Sequence, residues 1–535
     1  MAQRELLLGD EALALGALHA GLSGVYAYPG TPSTEIAEFI QAHPLAAQRG
    51  IHCAWSANEK TAMEEALGMS FAGRRALVCM KHVGMNVAAD AFVNAAMTGA
   101  HGGLVVVAAD DPSMHSSQNE QDSRFYGKFA LIPTFEPATQ QETYDMVQAA
   151  FELSERHRIP VLMRLTTRMA HSRAVVETRE VREENALQCP DGERKRQWVL
   201  MPGNSRVRYK ALLDDNTRFE QEAEESRFNR YTDAPDKSLG IIACGIAYNY
   251  VMENFPQGSP YPVLKISQYP LPADLVRRMA AECQALLIAE EGQPVVEEAV
   301  RGVLPAPVEI RGRLSGQLPR TGELTPDILR AALGLAPLEA HAASSIVVPR
   351  PPALCQGCGH RDMYAALTEV VREEYPEAKV FSDIGCYTLG WLAPFHAIDT
   401  VVDMGASITM AKGAADAGLR PSIAVIGDST FTHSGMTGLL DAVNERSPIT
   451  VIISDNLTTG MTGGQDSAGT GRLEQICAGL GVDPAHIRVV VPLPKNREEL
   501  KQMIREEIAY EGVSVIIPRR ECIQTAKRHT AAAKK

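Results

Sequence analysis

The chain alternates short apolar runs with amphipathic stretches over most of its length. In roughly the first 170 residues, segments with helical spacing such as residues 58–73 separate runs of buried-strand character. This alternation is typical of a doubly wound α/β domain with a parallel sheet. The predicted strands are GVYAYPG (24–30), RALVCM (75–80), GGLVVVAADD (102–111) and IPVLMRL (159–165).

Residues 181–237 interrupt this alternation. Charged runs such as FEQEAEESRFNR at 219–230 are poor in β-branched residues, and Pro-Gly punctuates the segment. We therefore predict a solvated, partly helical connector that follows a first domain spanning residues 1–180.

The alternation of strands and helices then returns twice, at residues 238–305 and 351–535, on either side of a Pro- and Gly-rich linker at 306–350. Since no fixed-period repeat is detectable, a solenoid is excluded, and we predict three doubly wound α/β domains with parallel sheets. The predicted strands lie in LGIIACGIAYNYV (239–251), PVLKISQYPLP (262–272), ALLIAEEGQPVVEEAV (285–300), AKVFSDIG (378–385), DTVVDMG (399–405), SIAVIGDS (422–429), ITVIISDN (449–456) and VSVIIPRR (513–520).

Composition and charge narrow the class of protein. With 535 residues, 45% hydrophobic and 22% charged, the chain has the balance of a soluble globular protein of about three domains. Its formal net charge of −13 argues against a nucleic-acid partner, because a phosphate backbone needs a basic surface.

Targeting signals are not evident in the sequence. No apolar run reaches the roughly 18 residues needed to cross a bilayer, and the start MAQRELLLGDEALALG is too polar for a signal peptide. We expect no membrane association, a cytoplasmic protein with cysteines kept as thiols, and a frayed tail at AAAKK (531–535).

Two oxygen-bearing side chains follow neighbouring predicted strands. Asp428 ends one strand and Asn456 the next, with a helix between them, so both should emerge at the same edge of a parallel sheet. A carboxylate, an amide oxygen and a backbone carbonyl are hard donors suited to Mg²⁺ that also binds a diphosphate. The alternative is two strand-end turns that carry Asp and Asn for local reasons.

The cysteines contain one short-spaced pair. Cys355 and Cys358 have the C-x2-C spacing that suits Zn²⁺, a redox disulfide or one corner of an iron-sulfur cluster. Cys386 and Cys522 each follow a predicted strand and could reach the same sheet edge. The other six cysteines lack metal spacing and are expected to be ordinary buried thiols: Cys53, Cys79, Cys189, Cys244, Cys283 and Cys477.

These motifs resemble those of indolepyruvate:ferredoxin oxidoreductase α subunits, in the 2-oxoacid:ferredoxin oxidoreductase superfamily, over nearly the whole chain. Gly427 and Asp428, followed by Asn456, resemble the thiamine-diphosphate (ThDP) signature, although Ser429 stands where that signature has Gly. MTGGQ at 461–465 resembles the family's NTGGQ. The segments that carry the wider resemblance are YPGTPSTEI, NEK, MKHVGMNVAAD, ADDPSMHSSQNEQDSR, LPRTGELTP, CQGCGH and GDSTFTHSG.

The resemblance implies two ThDP-binding domains, of the pyrimidine type at 1–180 and the diphosphate type at 351–535, and a transketolase C-terminal-like domain at 238–305. It implies Mg²⁺ ligation by Asp428, Asn456 and the Thr458 carbonyl. Glu59 would hydrogen-bond to the aminopyrimidine and so promote proton loss from the thiazolium. A buried structural glutamate is the alternative.

The resemblance also marks residues around the substrate and the cofactor. Thr31 would face the substrate carbonyl, although the same segment suits a strand-to-helix turn with a Ser or Thr N-cap. Small residues at the start of a helix, Gly405 and Ser407, offer N–H groups for the diphosphate, and we expect His433 to bind the cofactor too. The predicted oxoacid pocket draws on Lys81, His82, Asn86, His115, Ser116, Gln118 and Asn119.

Members of this family oxidatively decarboxylate arylpyruvates with coenzyme A and pass the electrons to ferredoxin. The resemblance implies a [4Fe-4S] cluster at Cys355, Cys358, Cys386 and Cys522, a smaller β subunit, and a hetero-oligomer such as α2β2. Familiar members end in a ferredoxin-like domain, whereas the printed sequence stops at Lys535. We therefore expect electrons to leave through a separate subunit or to a different acceptor.

Two other functions are compatible with parts of this pattern. A non-redox ThDP-dependent 2-oxoacid decarboxylase would need Asp428, Asn456 and Glu59 but none of the four cysteines. A non-catalytic scaffold subunit would keep the fold and bind Zn²⁺ at Cys355 and Cys358.

Overall fold

A computed structural model describes residues 3–304 and 308–532. Residues 305–307, at the start of the predicted linker, and the end of the predicted frayed tail, at 533–535, lie outside the described residues. The chain divides into two compact units, and the boundary along the chain falls between His341 and Ala342, inside the predicted linker. In the described ranges, no helix is both long and apolar enough to span a bilayer.

The first unit contains strands β1 to β14 and helices α1 to α14. The strands are β1 (Arg4–Leu8), β2 (Gly24–Ala27), β3 (His52–Trp55), β4 (Ala76–Lys81), β5 (Leu104–Asp110), β6 (Thr134–Phe135), β7 (Val161–Thr166), β8 (Arg173–Glu177), β9 (Arg230–Thr232), β10 (Gly240–Cys244), β11 (Val263–Ile266), β12 (Gln268–Tyr269), β13 (Ala285–Ala289) and β14 (Glu309–Arg311). The helices are α1 (Gly9–His19), α2 (Thr34–Ala42), α3 (Pro44–Arg49), α4 (Glu59–Phe71), α5 (His82–Thr98), α6 (Arg124–Ala130), α7 (Gln140–His157), α8 (Thr167–His171), α9 (Gly192–Arg196), α10 (Pro202–Glu224), α11 (Ala247–Met252), α12 (Ala273–Glu282), α13 (Val295–Val303) and α14 (Pro326–Ala332).

A seven-stranded sheet in the order β12-β6-β7-β5-β4-β2-β3 forms the centre of this unit. It is parallel except for β12, which pairs antiparallel with β6. Every residue of β4, β5 and β7 is buried, since helices cover both faces of a parallel sheet. The four strands predicted for this region are β2, β4, β5 and β7. A separate antiparallel pair joins β1 to β8.

A second sheet in the same unit has the order β14-β13-β10-β11-β9 and is parallel apart from β9. The predicted strand at 262–272 divides between the two sheets, because β11 joins this one and β12 joins the other. Asn229 stabilises the turn between β11 and β12, because its Oδ1 accepts hydrogen bonds from the N–H of Ser267 (2.7 Å) and Gln268 (2.9 Å). The predicted connector contains the long, mostly exposed helix α10.

Buried charges join the seven-stranded sheet to the segment around β13. The Arg164 Nε donates to Asp110 (2.5 Å), and Arg124 pairs with Asp122 (2.6 Å) and Glu290 (2.9 Å). All of these side chains are almost completely buried. We call this set, three arginines and five carboxylates, the ion network: Asp110, Asp122, Arg124, Glu136, Arg164, Glu290, Glu291 and Arg313.

The second unit contains a six-stranded, fully parallel sheet in the order β16-β15-β17-β18-β20-β19. Its strands are β15 (Lys379–Ser382), β16 (Thr400–Val401), β17 (Ser422–Gly427), β18 (Thr450–Ser454), β19 (Ile487–Val490) and β20 (Ser514–Pro518). Its helices are α15 (Gly359–Glu374), α16 (Ala406–Asp416), α17 (Asp428–Thr430), α18 (Met436–Asn444), α19 (Leu473–Gly479), α20 (Arg497–Ala509) and α21 (Ile523–Ala532).

The chain adds strands to the two sides of β15 in turn: β16 lies on one side of β15, and the later strands, beginning with β17, lie on the other. Open α/β sheets bind ligands in the crevice at such a switch point, outside the carboxyl ends of the strands. Asp383, Asp428, Asn456 and Cys522 follow β15, β17, β18 and β20, so all four lie at this edge.

Candidate active site

Asp428 begins α17 directly after β17 and is 2% exposed. Within the described chain, its Oδ2 is buried and accepts no hydrogen bond of good geometry. Burial raises the pKa of Asp428 to about 7, and the nearby Asp455 carboxylate adds to the rise. A buried carboxylate oxygen without a donor is suited to a cation, so Asp428 has the environment expected of a metal ligand.

The loop after β18 holds the other two predicted magnesium ligands. The Asn456 Oδ1 accepts a hydrogen bond from the N–H of Thr458 (3.1 Å), with Leu457 between them in the left-handed region at φ 62°. The Thr458 hydroxyl donates to the carbonyl of Gln465 (2.8 Å), which folds the MTGGQ segment back over the loop. Ser429 contacts the same loop through the Thr459 hydroxyl (2.9 Å). The serine that departs from the signature therefore ties the Asp428 turn to the Asn456 loop.

His433 lies in one turn of π-helix, Phe431–Gly435, between α17 and α18. Such wide turns are frequent at functional sites. The imidazole is buried, and its Nδ1 is 2.6 Å from the Ser434 hydroxyl oxygen. The sequence predicted His433 as a cofactor contact but gave no sign of the π-helical turn.

The predicted diphosphate cradle contains a residue that the sequence pattern did not single out. The Asp383 Oδ2 accepts hydrogen bonds from the Gly405 N–H (3.2 Å), the Ser407 N–H (3.3 Å) and the Ser407 hydroxyl (2.6 Å). Burial raises the pKa of Asp383 to about 7, and the Tyr387 hydroxyl donates to its other oxygen. The N–H groups expected to cradle a diphosphate thus donate to a carboxylate. Asp383 follows β15 directly, as Asp428 follows β17, and this position was the one feature of the sequence that could have marked Asp383 as a site residue.

Four cysteines line one cavity of about 90 Å³. Cys355 and Cys358 lie in the loop before α15, Cys386 begins a 3-10 helix after β15, and Cys522 precedes α21. Asn456 borders the same cavity. A Cβ placed on Gly460 would lie 3.2 Å from the Cys386 Sγ and 3.4 Å from the Asn456 Nδ2, so thiol and amide approach a common point.

The electrostatics of these thiols favour binding of a cation. Burial, and after it the charges of the other three cysteines, raise the pKa of Cys386 to about 12. Burial also raises the pKa of Cys358, whereas Arg520 lowers it. No three of the four sulfur atoms, all of them in the described chain, lie within 4.8 Å of one another. All ten cysteines are free thiols. Of the six predicted to be buried, four are buried and Cys53 is half-buried, whereas Cys189 is exposed, so the prediction is wrong for Cys189.

In the first unit, Glu59 is the first residue of α4 and is 5% exposed. The preceding Asn58 caps the helix through a hydrogen bond from the Thr61 N–H to its Oδ1 (2.9 Å). Gly84 of α5 packs against the glutamate: a Cβ there would lie 2.5 Å from the Glu59 Cγ. The position of this carboxylate therefore depends on a glycine in the neighbouring helix.

The loop that carries Thr31 lies against Lys81, since a Cβ on Gly30 would be 3.0 Å from the Lys81 Cβ. The Lys81 Nζ donates to the Ser116 carbonyl (2.7 Å), and burial lowers the pKa of this lysine. The backbone N–H of Ser116 in turn donates to the Asp111 Oδ2 (2.8 Å). The structure thus brings Lys81, Ser116 and the loop that carries Thr31 together, and their role in substrate binding stays a prediction.

The remaining predicted pocket residues have different environments. His82 is fully buried, neither ring nitrogen makes a hydrogen bond of good geometry among the described residues, and burial lowers its pKa. Asn86 is exposed and accepts from the Tyr126 hydroxyl, while His115 is exposed with its Nε2 3.5 Å from Glu323. Gln118 and Asn119 are also exposed.

Comparison with known proteins assigns the class. A family model described as "Pyruvate flavodoxin/ferredoxin oxidoreductase, thiamine diP-bdg" matches residues 15–235, and one described as "Thiamine pyrophosphate enzyme, C-terminal TPP binding domain" matches residues 383–517. With its parallel-sheet domains, the chain is a ThDP-dependent enzyme of the 2-oxoacid oxidoreductase type.

Curated relatives identify the family. "Indolepyruvate oxidoreductase subunit IorA" of Archaeoglobus fulgidus is 38% identical over 97% of this chain and 86% of its own length. The protein of that name from Methanothermobacter marburgensis is 39% identical over 97% of this chain and 87% of its own length. The chain belongs to the indolepyruvate oxidoreductase IorA subunit family.

A solved structure resembles the fold. It is a 2-oxoglutarate:ferredoxin oxidoreductase from Magnetococcus marinus with 2-oxoglutarate, coenzyme A and succinyl-CoA bound. The match has a TM-score of 0.51 and 15% identity, and covers 62% of this chain and 65% of that chain. At this identity the likeness supports the α/β fold alone.

Proposed function

We propose that this chain is the large subunit of an enzyme that oxidatively decarboxylates an arylpyruvate with coenzyme A and passes the electrons through a [4Fe-4S] cluster. The observation that carries the proposal is that four cysteines line a single cavity that Asn456 also borders. A redox centre there would lie next to a ligand of the diphosphate-bound metal. The aryl substrate rests on the names of relatives that are 38% and 39% identical.

The side chains fit a magnesium-bound diphosphate in the second unit. Asp428, Asn456 and the Thr458 carbonyl would hold Mg²⁺, and the buried Asp428 Oδ2, which accepts no hydrogen bond from a described residue, suits a metal ligand. Bound ThDP would supply the electron sink for loss of CO₂. Glu59 would hold a proton between its carboxylate and the aminopyrimidine, and Thr31 would donate to the substrate carbonyl.

The spacing of the cysteines favours a cluster over a zinc ion. Four thiolates about 2.3 Å from one tetrahedral Zn²⁺ lie about 3.8 Å from one another. Among the four cavity cysteines, which all belong to the described residues, no three sulfur atoms come within 4.8 Å of one another. A cubane holds its thiolates farther apart than a single ion does, and four neutralised thiolates would remove the repulsion around Cys386.

The partners follow from this chemistry. We propose a smaller β subunit, since the relatives bear the name of a subunit, in a hetero-oligomer such as α2β2. Ferredoxin or a similar carrier would accept electrons, and coenzyme A would accept the acyl group. The proposal therefore includes Mg²⁺ as the metal, ferredoxin as the electron acceptor, coenzyme A as the acyl acceptor and an aryl side chain on the substrate.

Iron and acid-labile sulfide, measured per chain on the anaerobically purified complex, test the proposal. We expect about four of each, reduced by Cys386→Ser but unchanged by Cys189→Ser, whose thiol lies outside the cavity. Wild-type protein that binds ThDP but contains no iron would instead support a non-redox decarboxylase. Stoichiometric zinc at the same cysteines would support the scaffold function.

A further inference from the structure

A second group of metal-ligating side chains lies in the first unit. Asp10, Glu35 and His171 each offer one ligand atom, and the three atoms all lie within 4.8 Å of one another. The Glu35 Oε1 and the His171 Nε2 are 3.5 Å apart. None of the three residues belongs to the ThDP or cysteine sites.

Three helix ends bring these residues together. Asp10 is the second residue of α1, Glu35 the second residue of α2, and His171 the last residue of α8. Gly9 permits the contact between α1 and α8, because a Cβ there would lie 2.0 Å from the Met169 carbonyl oxygen. The backbone packing therefore holds the carboxylate and the imidazole at a fixed spacing.

Three of the four carboxylate oxygens in this group have no hydrogen-bond partner among the described residues. Asp10 is 0% exposed, and neither of its carboxylate oxygens accepts a hydrogen bond from any described residue. The Glu35 Oε2 is also buried and unpaired in the described part of the chain. Buried carboxylates in folded proteins are almost always paired, so these acceptors indicate a missing positive ligand.

We propose that Asp10, Glu35 and His171 bind a divalent first-row transition-metal ion, for which Zn²⁺ is the best match. An imidazole nitrogen beside carboxylate oxygens suits Zn²⁺ better than Mg²⁺ or Ca²⁺, which prefer all-oxygen sites. The side chains of His171 and Glu35 are 34% and 38% exposed, so water can complete the coordination on the solvent side.

The ion would link the N-terminal ends of α1 and α2 to the C-terminal end of α8. Because α2 begins at Thr34, three residues after Thr31, the ion would restrain the loop that carries Thr31. The site is therefore structural, and its occupancy is measurable without any assay of activity.

Zinc binding by the chelator-treated, purified complex, measured by equilibrium dialysis and elemental analysis, tests the site. Asp10→Asn and His171→Ala remove a ligand each, and Glu38→Gln removes an exposed carboxylate from the same helix, α2, as a control. Zinc held elsewhere, at the cysteines for instance, is common to all four proteins. We expect wild type and Glu38→Gln to bind one more zinc per chain than Asp10→Asn and His171→Ala. Added zinc should also raise the Tm of wild type and Glu38→Gln more than that of the two ligand variants.

Equal zinc counts in wild type and His171→Ala would overturn the proposal. His171 lies at the surface, so this variant remains informative even where Asp10→Asn fails to fold. If the carboxyl groups of Asp10 and Glu35 instead share a proton, zinc shifts the Tm of all four proteins equally, which also overturns the metal site.

Discussion

Gly84 limits where the Glu59 carboxylate can lie. In Gly84→Ala the new Cβ would sit 2.5 Å from the Glu59 Cγ, which forces the glutamate to move. We expect decarboxylation to fall at least ~10-fold, as a displacement of about 1 Å in an active site does, with ThDP affinity largely kept. The loss should approach that of Glu59→Gln.

Steady-state rates and ThDP titration of the complex check this expectation. Gly68→Ala is the matched control, since Gly68 lies exposed in α4 with nothing within 4 Å of an added Cβ. Full activity in Gly84→Ala would contradict the role assigned to Glu59.

His19 gives the first unit a dependence on pH. Burial lowers the pKa of His19 to about 4, and its Nδ1 is 2.8 Å from the Tyr144 hydroxyl oxygen. The unfolded chain binds the proton first, so this contribution to stability is complete above pH ~6.5 and is lost as the pH falls toward 4. The half-buried ring is partly screened, so we expect a loss on the order of 1 kcal/mol.

Thermal unfolding from pH 7 to pH 5 measures this loss. His19→Gln should lose less stability over this interval than wild type, whereas His341→Gln, in an exposed segment, should behave like wild type. Parallel curves for His19→Gln and wild type would rule out this origin of the pH dependence.

The predicted site residues differ in how far the sequence could place them. Asp428 and Asn456 were predictable because they follow apolar strands that must be parallel neighbours. Asp383 follows a strand in the same way but was missed, since its role depends on a helix start more than twenty residues later. The π-helical turn at His433 depends on packing, which no local pattern encodes.

At the scale of elements, the long buried strands were predicted, and the predicted strands also contain the short edge strands β12 and β16, but the edge strands β3 and β19 were not predicted. Strands β4, β5, β7, β17, β18 and β20 form continuous apolar runs because both of their faces are covered. The edge strand β19 carries Arg488 and has one buried residue, and no residue of the edge strand β3 is buried. At such positions tertiary pairing, rather than side-chain pattern, decides the structure.

Asn229 stabilises the connection between β11 and β12 through its side-chain hydrogen bonds. Asn229→Ala leaves the N–H groups of Ser267 and Gln268 without their acceptor in a buried region. We expect a loss of about 1–3 kcal/mol in the free energy of unfolding of the first unit. Gln221→Ala, which removes an exposed amide from α10, should cost much less.

Chemical denaturation followed by far-UV circular dichroism compares the two variants. An Asn229→Ala protein as stable as Gln221→Ala would show that water replaces the lost acceptor at this break.

At the scale of the whole molecule, the two compact units are joined by an exposed segment. Residues 337–353 lack regular secondary structure, and the side chains of Ile346 and Val347 are 86% and 73% exposed. We expect elastase, which cleaves after small aliphatic residues, to cut first in this segment and to release two resistant fragments. Mass spectrometry of a time course identifies the cut. First cleavage within α10 would contradict this division.

The two-unit organisation itself was only partly evident in the sequence. The linker predicted at 306–350 contains the observed division at 341. The sequence gave no sign that residues 238–305 would pack into one unit with the first sheet. That association depends on buried charges and on β12, both of which are long-range features.

The ion network also has a consequence for biosynthesis. Asp110, Asp122 and Arg164 leave the ribosome more than a hundred residues before Glu290 and Arg313. At ~5–20 residues per second, the nascent chain waits on the order of 10 s for Glu290, whose carboxylate pairs with Arg124, and for the Glu291 carbonyl, which accepts from Arg124 and Arg164. Over that interval the amino-terminal sheet holds arginine N–H groups whose acceptors have not yet been synthesised. Native closure of this half of the protein is therefore postponed until translation has passed residue 313, and chaperones have that interval in which to bind.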